Sequence, residues 1–240
     1  MNSIKQKLQA GEPTIGTWLQ IPSPDIAEMM ADEGFDWIAI DLEHGVFDMK
    51  DIANICRAMK GTDTQPFVRI ASYNHFTIPQ LLDCGIQGII QADVHSAVGV
   101  RATKHYSSRG AGCGYGYSRA NLWGKYFRKM VDAEDIMLVG QYEDKDSEID
   151  KWIKPGILDA TMIGPYDLSA SLGAVGQLGH PLVTTAMDNY LAISKKNKVP
   201  PGIHIVNPEP GCIDEATEKG YRFIAMGTEA VFLRKGMAIR

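Results

Sequence analysis

Residues 136–143 read IMLVGQYE, an apolar run that closes on a carboxylate. A short apolar run of this kind marks a strand buried on both faces, as in parallel sheets. The same form recurs along the chain. FDWIAIDLEH (35–44) ends on His44, QPFVR (65–69) ends on Arg69, and ATMIGPYD (160–167) carries Asp167 just after its apolar stretch. In a barrel of parallel strands, chemistry collects where strands end and βα-loops begin. Two carboxylates, an imidazole and a guanidinium at such ends suit a divalent cation, a proton acceptor and an anion clamp. That combination suits proton abstraction next to a carbonyl.

Working outward from 136–143, the predicted strands are TIGTWLQ (14–20), WIAIDLE (37–43), PFVRI (66–70), GIIQADV (88–94), IMLVGQYE (136–143), ATMIGP (160–165), GIHIV (202–206) and RFIAMG (222–227). Amphipathic helical stretches separate most of them. SPDIAEMMADEGF offers Ser23 or Asp25 as N-cap and Gly34 as a stop. DMKDIANICRAMKG has Asp48 leading and Gly61 ending. HPLVTTAMDNYLAISKKNK carries lysines in its last turn, where they complement the helix dipole. EPGCIDEATEKG is a fourth. Eight strands with helical crossovers in 240 residues is the count of an α/β chain folded as a single (β/α)₈ TIM barrel over residues 1–240. The alternative is a doubly wound sheet. That fold usually has a glycine-rich phosphate turn after its first strand, whereas this first strand runs into IPSPD. Residues 105–132 and 166–182 exceed the usual connection length. Both are expected to leave strand C-termini and cover the site, the alternative being a glycine-rich surface loop.

A charged fraction of 22% and a net charge of −5, with no long like-charge run, give no support for a nucleic-acid surface. No stretch of 18 apolar residues predicts a membrane span. The polar start, MNSIKQKLQAGEP, lacks the apolar centre of a signal peptide. Cys56, Cys84, Cys113 and Cys212 are scattered without a CxxC and are read as reduced thiols of a cytoplasmic protein.

Glu143 and Asp167 lie about one βα unit apart and are predicted to end adjacent strands. Carboxylate oxygens suit Mg²⁺ or Mn²⁺; two solvated or salt-bridged acids are the alternative. In Asp41-x-Glu43-His44 a carboxylate can fix a histidine tautomer, provided the chain turns at Glu43–His44, which Gly45 permits. An ordinary strand-end histidine is the alternative. His75, His95, His105, His180 and His204 have no comparable context, although His180 precedes Pro181 and is placed to open a helix. Arg69 needs a partner if buried, either a substrate oxygen or a carboxylate on a neighbouring strand.

IDLEH (40–44), PFVR (66–69), LLDCG (81–85), QYE (141–143), IGPYDLSASLG (163–173) and GHP (179–181) together resemble the signature of the HpcH/HpaI aldolase family, and the match runs in order over nearly the whole chain. The resemblance implies a (β/α)₈ barrel and a homo-oligomer, usually a hexamer that exchanges its last helix. It implies Glu143 and Asp167 as ligands of a divalent metal cation (Mg²⁺, Mn²⁺ or Co²⁺) and His44 as base. Asp41 orients or tunes His44, Arg69 contacts the pyruvate oxygens, and Gln141 lies near the bound donor. Asp83 reaches a neighbouring subunit's site, and Arg119 helps bind the acceptor. The chain departs from the family at Gln91-Ala92 and at YSSRGAGCG (106–114), and its last helix is short. The expected activity is a class II pyruvate aldolase that adds pyruvate to an aldehyde and cleaves a 4-hydroxy-2-oxo acid. Rival readings are an oxaloacetate decarboxylase and, in a different class, an inactive barrel serving as a binding module.

Overall fold

The structure, a computed structural model, describes residues 3–71, 77–132 and 136–238. Among these residues, eight strands pair in parallel and in chain order: β1 (Thr14–Leu19), β2 (Trp37–Asp41), β3 (Gln65–Ile70), β4 (Gly88–Gln91), β5 (Met137–Tyr142), β6 (Ala160–Ile163), β7 (Gly202–Ile205) and β8 (Phe223–Thr228). β8 pairs back onto β1 and closes the (β/α)₈ barrel. Each predicted strand is present. No helix among the described residues is long and apolar enough to cross a membrane.

The apolar runs are continuous because the strands bury both faces, β7 less fully than the others. Successive side chains point to opposite faces, and the two faces feed two separate apolar clusters. Trp18, Trp37, Ala39, Phe67, Met137, Val139 and Phe223 fill the barrel interior. Ile38, Ile40, Val68, Leu138 and Ile224 pack outward under the helices. At the N-terminal end, Trp37 and Phe223 stack with ring centres 4.3 Å apart. Glycine makes room for these rings: a Cβ at Gly16 would stand 2.0 Å from the Trp37 ring, and one at Gly88 would stand 2.4 Å from Phe67. Helix Ser3–Gln9 adds Ile4 and Leu8 to this cluster. Its Lys5 and Lys7 pair with Asp159 and Asp36, which precede β6 and β2, so the helix seals the N-terminal face.

The local signals hold. Ser23 rather than Asp25 caps helix Pro24–Asp32. Asp48 and Asp51 form a reciprocal capping box on helix Met49–Ala58. His180 caps helix Pro181–Asn197, its Nδ1 accepting the Leu182 N–H at 3.3 Å. All four cysteines are free, and burial pushes the Cys56 thiol up to about 12.

One expectation is overturned. Residues 105–132 do not leave a strand end. Helix Ala97–Ser107 intervenes after β4, so the remainder is a connection from helix to strand. It lies beside the starts of β3 and β5, with Gln65, Pro66 and Ile136. Asn121, fully buried, organises it by donating to the Gly116 carbonyl and accepting from the N–H groups of Ser118 and Gly124. Residues 166–182 do follow β6, and Ser171 in helix Pro165–Ser171 donates to Asp144 beyond β5 at 2.9 Å.

Candidate active site at the C-terminal mouth

Asp41 and Arg69 are register partners on β2 and β3, and both face inward. Arg69 Nε donates to Asp41 Oδ1 at 2.8 Å and Nη2 donates to Oδ2 at 2.6 Å. Asp41 is fully buried and Arg69 is 6% exposed. The guanidinium lies 4.4 Å over the Trp18 ring, a favourable cation–π position. Burial pushes the Asp41 carboxyl up, but hydrogen bonds and charge from Arg69, with help from the Gln20 amide, hold it below its ordinary value. The neighbouring-strand carboxylate is therefore the partner that Arg69 uses.

The chain turns directly after β2, as the Glu43–His44 geometry requires. Asp41 Oδ1 accepts the main-chain N–H of Glu43 at 3.1 Å and of His44 at 3.3 Å, and Gly45 N–H closes the turn on the Asp41 carbonyl at 3.0 Å. A Cβ at Gly45 would collide with that carbonyl at 2.6 Å. Asp41 reaches His44 only through the backbone. The carboxylate beside the half-exposed imidazole is Glu43, whose Oε2 lies 3.9 Å from His44 Nε2 and 3.3 Å from Arg69 Nε. Burial raises the Glu43 carboxyl, with Arg69 and His44 opposing.

Across the mouth, Glu143 follows β5 and Asp167 lies in the first turn of the helix that follows β6; the two strands are adjacent. Glu143 Oε1 and Asp167 Oδ2 lie 2.9 and 3.3 Å from the point where a Cβ on Gly164 would stand. Glycine at 164 thus leaves space between two converging acids. Gln141 Nε2 donates to Glu143 Oε1 at 2.7 Å, and its own buried Oε1 has no partner among the described residues. Asp93, in left-handed backbone (φ 46°), aims its N–H at Glu143 Oε2, 2.8 Å away. Burial pushes Glu143 up to about 8; the Asp93 N–H opposes this, and Glu43 and Asp167 add to the rise. Among the described residues, no three His, Cys, Asp or Glu side chains gather closely enough to hold a metal by themselves.

The structure thus brings together His44, Asp41, Arg69, Gln141, Glu143 and Asp167. Sequence reasoning missed Trp18, Gly164 and Asp93 as parts of this mouth, and within Asp41-x-Glu43-His44 it gave the histidine's carboxylate partner as Asp41 rather than Glu43. It also passed over His204 on β7, whose ring packs edge-on against Trp18 at 5.5 Å with a buried Nε2 that has no partner among the described residues. His75 lies outside the described residues.

Asp83 and Arg119 are not at this mouth. Asp83, in helix Ile78–Cys84, accepts from Arg109 at 2.8 Å. Arg119 donates to the carbonyls of Cys84 and Cys56, at the C-terminal ends of two helices, where a cation offsets the helix dipoles. Barrel helices run opposite to the strands, so Arg119 lies toward the N-terminal face. It lines a cleft of about 940 Å³ there that none of the mouth residues touches. The departures are also placed. Gln91 faces outward and accepts from Thr103 at 2.8 Å, and residues 106–114 lie in the end of helix Ala97–Ser107 and the connection that follows it.

The family model for HpcH/HpaI aldolase/citrate lyase matches residues 14–235. A hydroxypyruvate/pyruvate aldolase of Roseobacter denitrificans is 32% identical, with 100% of this chain and 96% of that protein covered. A 4-hydroxy-2-oxo-heptane-1,7-dioate aldolase of Escherichia coli is 31% identical over 98% and 91%. Among solved structures, an HpcH/HpaI aldolase/citrate lyase family protein of Burkholderia cenocepacia superposes with a TM-score of 0.88 at 27% identity, covering 99% of this chain and 96% of that one. Fold, ordered motifs and relatives agree, and the chain belongs to the HpcH/HpaI aldolase/citrate lyase family, an enzyme of the aldolase-type lyases.

Proposed function

We propose that the protein is a divalent-metal-dependent aldolase that adds the methyl carbon of pyruvate to an aldehyde and, in reverse, cleaves a 4-hydroxy-2-oxo acid. The observation that supports this most is the convergence of Glu143 and Asp167 over Gly164, across the mouth from Arg69. Their donor set fits Mg²⁺, Mn²⁺ or Co²⁺, because hard cations are bound by one or two carboxylates and complete their shell with other oxygens. The unpartnered Oε1 of Gln141 is a further oxygen of the right kind. Such an ion, when bound, supplies Lewis-acid polarisation of the 2-oxo group.

The chain's own groups do the rest. Two N–H groups of Arg69 are committed to Asp41, which fixes the plane of the fork. The remaining donors, Nη1 above all, have no partner among the described residues and are placed to meet a pyruvate oxygen as negative charge develops there. His44, half exposed beside Glu43, takes the proton from the pyruvate methyl. Glu43 then faces the imidazolium that results. Gln141 holds Glu143 in place from within the barrel. The mouth opens to solvent at His44 and Asp167, and the aldehyde enters from that side. The free, scattered thiols support a reducing, cytoplasmic setting. Leu233 and Met237, exposed on the last helix, support a homo-oligomer; light scattering at micromolar concentration tests it, and a mass near the 26.4 kDa of one chain rules it out.

The test is exchange of pyruvate methyl protons in deuterated water with Mg²⁺, Mn²⁺ or Co²⁺, followed by product mass with a panel of aldehydes. Exchange with metal, and none in excess chelator, is the expected result. Full exchange in chelator removes the metal from the reading. Pyruvate release from oxaloacetate alone, with no cleavage of 4-hydroxy-2-oxo acids, assigns the protein to decarboxylation instead.

A further inference from the structure

The seam where the barrel closes is held by one buried acid. Glu229 opens helix Glu229–Met237 directly after β8, with Thr228 as N-cap. A glutamate in a first helical turn ordinarily stays in water, where it complements the helix dipole. This one is 2% exposed. Its Oε1 accepts the N–H of Gln20 at 2.8 Å and of Ile21 at 2.6 Å, the two residues that follow β1. A buried carboxylate is tolerated only when hydrogen-bonded. Burial still raises its pKa against the pull of these N–H groups and those of its own helix turn.

The seam needs such a tie. The β1–β8 ladder shifts register between Gly16 and Trp18 and ends at Trp18↔Thr228, and the β1–β2 ladder ends at Leu19↔Ile40, so neither ladder reaches Gln20. The Gln20 carboxamide donates to Asp41 Oδ2 at 2.8 Å, the same oxygen that receives Arg69 Nη2. Asp41 Oδ1 meanwhile holds the His44 turn. The order of contact is Glu229, the main chain after β1, the Gln20 amide, Asp41, then Arg69 and His44. It links the ends of β8, β1, β2 and β3.

We infer that Glu229 is a positioning residue: it sets the main chain after β1 so that Gln20 holds Asp41 in the orientation that presents Arg69 and the His44 turn to the substrate. The kinetic part of the test rests on the proposed aldolase chemistry.

The experiment is a double-mutant cycle of Glu229→Ala and Gln20→Ala, read as kcat and KM for pyruvate methyl exchange with thermal unfolding alongside. Each single change lowers kcat about tenfold or more. The double variant loses no more than the worse single, because both interrupt one path. Glu229→Gln keeps an acceptor oxygen and recovers most of the rate. Losses that multiply in the double variant overturn the inference, as does an unchanged kcat with only a lower melting temperature. If Glu229→Ala does not fold, Glu229→Asp, whose shorter side chain draws the acceptor oxygen back from the Gln20 and Ile21 N–H groups, takes its place in the cycle. The Arg69 Nε–H resonance in ¹⁵N NMR supplies a readout that needs no turnover. A shift in that signal in Glu229→Asp and Gln20→Ala, with Glu229→Gln close to wild type, supports the relay, and an unmoved signal in Glu229→Asp and Gln20→Ala defeats it. Wild-type protein that exchanges no pyruvate protons defeats the proposed function instead.

Discussion

Arg69 and Asp41 meet fork to carboxylate, two N–H groups on two oxygens, from facing positions on adjacent strands. Removing one member strands the other in the barrel. Asp41→Ala is expected to cost about 3–5 kcal/mol, the usual penalty for leaving a buried charge unpaired, measured by urea unfolding. Arg69→Lys keeps the charge but loses the planar fork. It should fold and lose most of its kcat/KM for pyruvate. Wild-type kinetics in Arg69→Lys would show that the fork geometry is not used.

Gly164→Ala puts a methyl group 2.9 Å from Glu143 Oε1. The expected outcome is a folded protein with at least tenfold weaker Mn²⁺ binding, read by titration calorimetry. Undiminished affinity would mean that the ion does not sit between Glu143 and Asp167.

His44→Ala should slow exchange of pyruvate methyl protons by about 10²–10⁴-fold, the range for a placed general base. Mn²⁺ affinity should survive, since His44 lies beside Glu43 rather than between the two converging acids. Unaltered exchange assigns the proton transfer to another group.

His204 gives the fold a pH dependence with a defined sign. Burial first, then the charge of Arg69, lower it to about 4, against about 6.5 in an unfolded chain. Between those values the unfolded chain binds the extra proton and the folded one does not, so stability rises with pH. The neutral form is fully favoured above about 6.5, and roughly 3 kcal/mol is lost on going down to pH 4. Chemical denaturation of wild type and His204→Gln across that window tests it; parallel curves would rule out His204 as the source.

The strands were legible because a barrel strand is buried on both faces and leaves an unbroken apolar run, as in residues 136–143. The strand-end positions of Arg69 and Glu143 followed from the same runs. Helix Ala97–Ser107 was not legible: its sequence, AVGVRATKHYS, has a glycine and only three buried positions. Missing it put residues 105–132 on the wrong face. Asp93 was hidden because its part depends on a left-handed backbone that no local pattern announces, though aspartate tolerates it better than most residues. The place of Arg119 was not legible because its partners, Cys56 and Cys84, lie 63 and 35 residues away. No local spacing rule reaches that far. Within Asp41-x-Glu43-His44 the sequence did not tell the two acids apart, since only the turn at Gly45 decides which of them faces the imidazole.

The aromatic stack at the base of the barrel, covered from below by helix Ser3–Gln9, closes the described interior at its N-terminal end and leaves it open at the mouth. Both products of a cleavage must therefore leave by the mouth through which the substrate came. The fragment toward solvent goes first and the one held at Arg69 goes last. On the proposed chemistry the aldehyde departs ahead of pyruvate. Pyruvate then competes with the substrate for free enzyme, while the aldehyde inhibits noncompetitively; the reverse pattern of product inhibition would mean that pyruvate leaves first.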